Sequence, residues 1–245
     1  MRKVFLTVFI IIISLYTATA QNEKQSQLTE SSIVRDTSGT IVPYTIWTRL
    51  LITGRYKIKS EKRENANFII YRISDEEYEK SLETMPKPKE SNFFRTGGNF
   101  SHFKTTDIDG NKINTKSLAG KIIVLNFWFI QCPPCIMEMP ELSKLADSYK
   151  TDSSVIFIAI ALDKKYELEQ FLRNKSFGYT IIDNGRFIAD QYRVNSYPTN
   201  VIVDQNSKVY FHSTGLSTST VHWLKKSIEE LKNPAEKKNA TAKTE

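Results

Sequence analysis

Cysteine is almost missing from this chain: its 245 residues hold two, at positions 132 and 135. One close pair excludes a fold stapled by several disulfides. Histidine is nearly as scarce. His102, His212 and His222 show no ligand spacing, and no third cysteine exists to complete a four-ligand zinc site, so no metal is expected. No glycine-rich nucleotide-binding motif and no internal repeat occur, and no cofactor is expected. The apolar run at residues 4–16 is 13 residues long, short of a comfortable bilayer span. Basic residues are scattered among acids, which argues against nucleic acid as a partner.

The N-terminus reads as a targeting signal. Arg2 and Lys3 form a basic start, residues 4–16 an apolar middle, and Ala18-Thr19-Ala20 a small-residue cleavage pattern, so residues 1–20 are the signal and Gln21 the mature start. No cysteine lies near that point, which excludes a lipoprotein anchor there. The alternative for this segment is an uncleaved membrane tether. After cleavage no stable membrane insertion is expected, and export to the bacterial periplasm would place the chain where disulfides persist. Of the formal charge of +7, Arg2 and Lys3 supply two. The remaining modest excess suits anionic membranes or acidic partners. A mature chain of about 225 residues can build a core without staples, so the cysteine pair is free for chemistry.

Residues 21–90 read as a small β-rich N-terminal region of no assignable function. Residues 21–30 are polar and read as disordered. Residues 33–51 read as two strands around the turn-like Asp36-Thr37-Ser38-Gly39. Residues 56–60 and 67–73 read as extended, and the charge run 57–64 as a solvated hairpin or loop. Ser74 is placed to cap a helix opening at Asp75, with Glu77 completing a capping box. Residues 85–89, with two prolines and two lysines, read as a linker.

Residues 91–232 read as an α/β domain with a mixed sheet. A hairpin is expected around Asp109-Gly110. Residues 121–129 and 155–162 are near-continuous apolar runs, the pattern of strands covered on both faces. Between them, residues 134–150 carry a helical stripe of Ile136, Met139, Leu142, Leu145, Ala146 and Tyr149, interrupted by Pro140. A helix at 166–175, an extended piece at 179–182 and a short helix at 186–192 follow. Two strands at 199–203 and 208–212 and a closing helix at 220–231 complete the unit. His212 ends a strand, is expected to be exposed and receives no role. The tail 233–245 lacks an apolar stripe and reads as disordered.

The chemistry lies at Cys132-Pro133-Pro134-Cys135, between a buried strand and a helix. Only a thiolate attacks a disulfide. A helix N-terminus, with its unpaired N–H groups and positive dipole end, favours that form. Two prolines fit the first turn, where no N–H is needed. Cys132 is therefore the expected nucleophile, and Cys135, one turn further in and expected to be more buried, the resolving thiol. A structural disulfide over so small a loop would stabilise weakly. The remaining alternatives are an oxidase or isomerase using the same cysteines, a Cu(I)-handling protein, which lacks a paired methionine or histidine motif, and a non-catalytic adaptor. A peroxidase is disfavoured because the second cysteine lies too close.

Tyr197-Pro198-Thr199 opens the strand at 199–203. Together with Val124-Leu125-Asn126-Phe127-Trp128, the CPPC segment and Glu138-Met139-Pro140, it resembles the thioredoxin superfamily, and within it the exported reductase branch typified by TlpA and ResA proteins. The resemblance covers residues 95–232 and implies a thioredoxin-like fold. The 63 residues from Cys135 to Pro198 exceed plain thioredoxin spacing and leave room for an inserted unit at 164–184. It implies a cis Pro198, with the Tyr197 backbone aligning a substrate segment by strand-like hydrogen bonds. Trp128, Phe129 and Tyr197 are expected at the rim of the site, core packing being their alternative. Asn126 stands where plain thioredoxins carry a buried aspartate, and it cannot serve as a base. Glu138 stands where the ResA-like branch has an acid–base glutamate, on the same helix face as Cys135. Gln131 departs from the usual tryptophan before the first cysteine. The implied activity is thiol–disulfide oxidoreduction through a Cys132/Cys135 cycle, reducing disulfides in exported proteins. An upstream membrane thiol reductant would resupply electrons, since an exported domain has no NADPH.

Overall fold

The computed structural model describes residues 28–60 and 68–234. The signal segment, the polar stretch up to residue 27, residues 61–67, which take in the end of the charge run and the first residue of the extended piece 67–73, and the tail from 235 lie outside the described residues. No helix among the described residues is long and apolar enough to cross a membrane.

The N-terminal unit is mixed rather than β-rich. Strand β1 (Val34–Arg35) pairs in parallel with β3 (Phe68–Arg72), and β2 (Tyr56–Ser60) pairs antiparallel on the other side of β3. The second strand expected before residue 51 is instead helix α1 (Tyr44–Ile52); only Ile41 bridges back to Arg35. The β-branched Thr45, Ile46, Thr48 and Ile52 suggest a strand. Pro43 sets the entry to a helix, and helical spacing buries Trp47 against Val34, Phe68 and Ile70, so burial overrides propensity. Ser74 caps α2 (Asp75–Glu83) by accepting the Glu77 N–H at 3.0 Å. The Glu77 carboxylate turns to Lys57 at 2.7 Å, so only half of the expected capping box forms.

Residues 85–91 are a strap rather than a free linker. Trp223 Nε1 donates to the Met85 and Pro86 carbonyls, both at 3.1 Å. Thr214 N–H donates to the Lys89 carbonyl at 3.0 Å, and Ser91 N–H donates to His212 Nδ1 at 3.1 Å. Pro88 and His212 are buried, the latter against expectation.

The second unit opens with the hairpin β4 (Lys104–Thr106) and β5 (Lys112–Asn114). The Asp107 carboxylate ties its turn by accepting the Asp109 and Asn111 N–H groups. Then come β6 (Ile122–Trp128), α3 (Pro133–Ser148), β7 (Val155–Ala161), α4 (Lys165–Leu172), β8 (Thr180–Ile182), α5 (Arg186–Gln191), β9 (Thr199–Val203), β10 (Val209–Thr214) and α6 (Thr220–Lys232). The sheet order is β10-β9-β6-β7-β8, with β6, β7 and β8 parallel and β9 and β10 antiparallel. The interval 164–184 holds α4 and the edge strand β8.

All of β6 is buried because both faces are covered. Val124 and Trp128 meet Met139 and Leu142 of α3 and Leu224 and Ile228 of α6. Ile123, Leu125 and Phe127 meet Ile188 and Ala189 of α5. Each fully buried side chain of this size contributes roughly 1.5–3 kcal/mol. This central strand leads into the cysteine loop, so a fully buried element of the domain carries the site.

Candidate active site

Cys132 is the N-cap of α3, and Pro133 and Pro134 fill the first two helical positions. A disulfide joins Cys132 to Cys135, with Cα atoms 5.3 Å apart. The Cys135 N–H points at Cys132 Sγ, 3.3 Å away. A helix-terminal donor thus faces this sulfur, a placement that favours negative charge on it when the bond opens. The expected difference in burial is not found: both cysteines expose 3% of their surface.

The loop before Cys132 is fixed from two sides. Ile130 N–H donates to Asp163 Oδ2 at 2.8 Å, and Leu162 N–H donates to the Trp128 carbonyl at 3.1 Å. Burial holds the Asp163 carboxyl above its usual range. Sequence reading missed Asp163, which becomes visible only when β6 and β7 are seen as neighbours. On the other side the Phe129 ring meets the Tyr197 ring edge-on at 5.4 Å, bringing the 196–199 loop against the cysteine loop.

The Tyr197–Pro198 bond is cis. Pro198 is buried, and its carbonyl accepts the Gly215 N–H at 2.8 Å. The Tyr197 hydroxyl donates to the Val194 carbonyl at 3.0 Å. Its backbone N–H and C=O make no hydrogen bond among the described residues. Trp128 is corrected: it is fully buried, packing on Phe171 and Phe177 at 5.8 Å each, and supports the site from within rather than lining its rim.

Glu138 is 1% exposed, one turn beyond Cys135. Its Oε1 accepts from Asn126 Nδ2 and from Asn200 Nδ2, each at 3.1 Å, and Asn126 Nδ2 also donates to Asn200 Oδ1 at 2.9 Å. Burial pushes the carboxyl up to about 8, with the two amides opposing. Asn200 also escaped the sequence reading. Nothing in its neighbourhood marks it, and only the β6–β9 register shows it facing Asn126.

No group of three or more His, Cys, Asp or Glu among the described residues could hold a metal. A cavity of about 860 Å³, lined by residues that include Asp107, Tyr149 and Tyr179, lies toward the far end of α3 from the cysteines. Exchange with a protein disulfide needs a shallow, accessible surface rather than such a cavity.

The AhpC/TSA family model matches residues 96–212. The thiol-disulfide oxidoreductase ResA of Halalkalibacterium halodurans is 30% identical over 139 residues, covering 54% of this chain and 79% of that protein. ResA of Bacillus thuringiensis (strain Al Hakam) is 33% identical over 118 residues, covering 48% and 68%. A solution structure from Bacteroides thetaiotaomicron, described as a protein disulfide isomerase, superposes with a TM-score of 0.54 at 24% identity, covering 58% of this chain and 93% of that one. That likeness establishes the thioredoxin-like fold. With a cysteine pair joined at the head of α3, the chain belongs to the ResA family of thiol–disulfide oxidoreductases, enzymes that act by thiol–disulfide exchange.

Proposed function

We propose that the protein reduces disulfides in exported proteins, with Cys132 attacking, Cys135 resolving and Glu138 handling the proton of Cys135. The observation that carries this reading is the Cys132 sulfur facing a helix-terminal N–H, one turn from a buried carboxyl. The Cys132 thiolate attacks one substrate sulfur. A Cys132–substrate bond forms, and the other substrate sulfur leaves as a thiolate and takes a proton from water. Cys135 then passes its proton to ionised Glu138 and attacks Cys132 Sγ. The enzyme disulfide forms, and the second substrate sulfur leaves, taking up a proton. Two electrons have moved from the dithiol to the substrate.

Re-reduction runs the proton the other way. An upstream thiolate attacks Cys132 Sγ, the Cys132–Cys135 bond breaks, and Cys135 leaves as a thiolate that takes the proton of Glu138. A carboxyl titrating near 8 serves both half-cycles, since a group near the working pH both accepts and donates. The unpaired Tyr197 backbone beside the buried Pro198 supports a role in aligning an extended substrate segment.

The apolar segment 4–16 supports export to the periplasm, and an exported enzyme without a nucleotide motif supports a membrane thiol reductant as electron source. Trapping tests the order of attack. Cys135→Ser should accumulate a mixed disulfide through Cys132 with a disulfide-bonded protein substrate, and Cys132→Ser should not. Accumulation through Cys135 in the Cys132→Ser variant alone would reverse the assignment.

A further inference from the structure

The two oxygens of Glu138 have different surroundings. Oε1 accepts two N–H groups, whereas Oε2 is buried and has no partner among the described residues. The donors come from two strands. Asn126 on β6 and Asn200 on β9 are direct cross-strand partners, so their side chains leave the sheet on one face, toward α3. Both are almost completely buried.

Their orientation is fixed as a unit. Asn126 Nδ2 spends both hydrogens, one on Glu138 Oε1 and one on Asn200 Oδ1. Turning Asn126 over would set its oxygen against two other oxygens. Turning Asn200 over would set oxygen against Glu138 Oε1 and two amino groups against each other. We propose that Asn126 and Asn200 form a paired amide clamp that positions Glu138, holding Oε1 as the charge-bearing acceptor and leaving Oε2 as the oxygen that takes up and releases the proton.

This rests on the role given to Glu138 above and adds which atom works and what holds it. A proton on Oε1 would confront two N–H donors, so protonation is confined to Oε2. In the transfer the Cys135 S–H bond breaks, an O–H bond forms at Oε2 and the electron pair stays on sulfur. The clamp also sets the range. Burial alone raises the carboxyl, and the two donated hydrogen bonds favour its ionised form. Among the described residues and apart from Cys135, the titratable group facing Glu138 is Tyr179, just before β8; its hydroxyl is buried without a partner there, and Glu138 opposes its ionisation. No charged side chain from α3, α6 or the sheet acts on Glu138 among the described residues.

The test follows the Glu138 carboxyl carbon by NMR in the full-length disulfide form, its signal identified by its loss in Glu138→Gln. The wild type should titrate near pH 8. Asn200→Leu and the smaller Asn200→Ala should each move the midpoint up by about one unit, a tenfold change in proton affinity from losing one charge-assisted hydrogen bond. A midpoint unchanged in both variants overturns the clamp. The reading of Glu138 as the proton carrier fails separately. If the midpoint moves but Glu138→Gln leaves the pH profile of insulin-disulfide reduction unaltered, the clamp holds and the catalytic role falls.

Discussion

Glu138 is raised because burial outweighs two amides, and that gives its charge a cost in folding. In the folded disulfide form the carboxyl binds its proton more tightly than in the unfolded chain, about 8 against an ordinary 4.5. Its contribution to stability is therefore full below pH 4.5 and is lost as pH rises through about 8. Glu138→Gln keeps an oxygen for both amides and removes the titration. The variant should be the more stable protein at pH 7, by on the order of 3 kcal/mol in denaturant unfolding, with the gain vanishing near pH 4. The same substitution should slow resolution of the mixed disulfide by roughly a hundredfold in stopped-flow measurements, the usual scale for losing a positioned acid or base. A difference between variant and wild type that is the same at pH 7 and pH 4 would show that the carboxyl is not raised by burial.

At the scale of elements, backbone approach and tethering decide what can change. Gly185 enters α5 against β7: an added Cβ would lie 2.4 Å from Ile160 Cγ2 and 2.9 Å from the Ala161 carbonyl oxygen. Gly185→Ala should cost about 1–3 kcal/mol, read as a lowered midpoint of chemical denaturation. The strap at 85–91 depends on His212 staying neutral, since its Nδ1 accepts the Ser91 N–H. Burial holds the imidazole below its ordinary value of 6.5. Its contribution is present above that pH and is lost as pH falls through the lower folded value. Hydrogen exchange at the Ser91 amide, corrected for intrinsic rates, should therefore lose protection on acidification from pH 7, while amides of β6 keep theirs. The cysteine-bearing element itself was legible in the sequence. A continuous apolar run, the only two cysteines and two prolines at a helix mouth are local signals, and β6, α3 and the disulfide follow from them. Illegible were features set by register and tertiary burial. Asn200 meets Glu138 across 62 positions, Asp163 meets Ile130 across 33, and α1 forms where β-branched residues suggest a strand. Trp128 stands at the end of β6 that leads to the cysteines, and only its packing on Phe171 and Phe177, distant in sequence, turns it from the rim into the core.

For the whole molecule, the thioredoxin-like unit supplies the exchange site, and the N-terminal unit is joined to it by a strap pinned at Trp223, Thr214 and His212. Trp223→Phe removes the indole donor to two carbonyls. It should loosen residues 85–91, seen as faster proteolysis between the units, without changing the reactivity of the cysteines. Neither unit fixes the direction of electron flow by its shape, because the same bonds form and break in oxidation and reduction. Direction belongs to the balance between the dithiol and disulfide states of the complete protein. This balance is expected to favour giving electrons away. Equilibration of the full chain with a glutathione or dithiothreitol redox buffer measures it. The Cys132/Cys135 reduction potential should lie in the range of thioredoxin, about −270 mV; a value near that of DsbA, about −120 mV, would mean that the pair takes electrons instead of giving them.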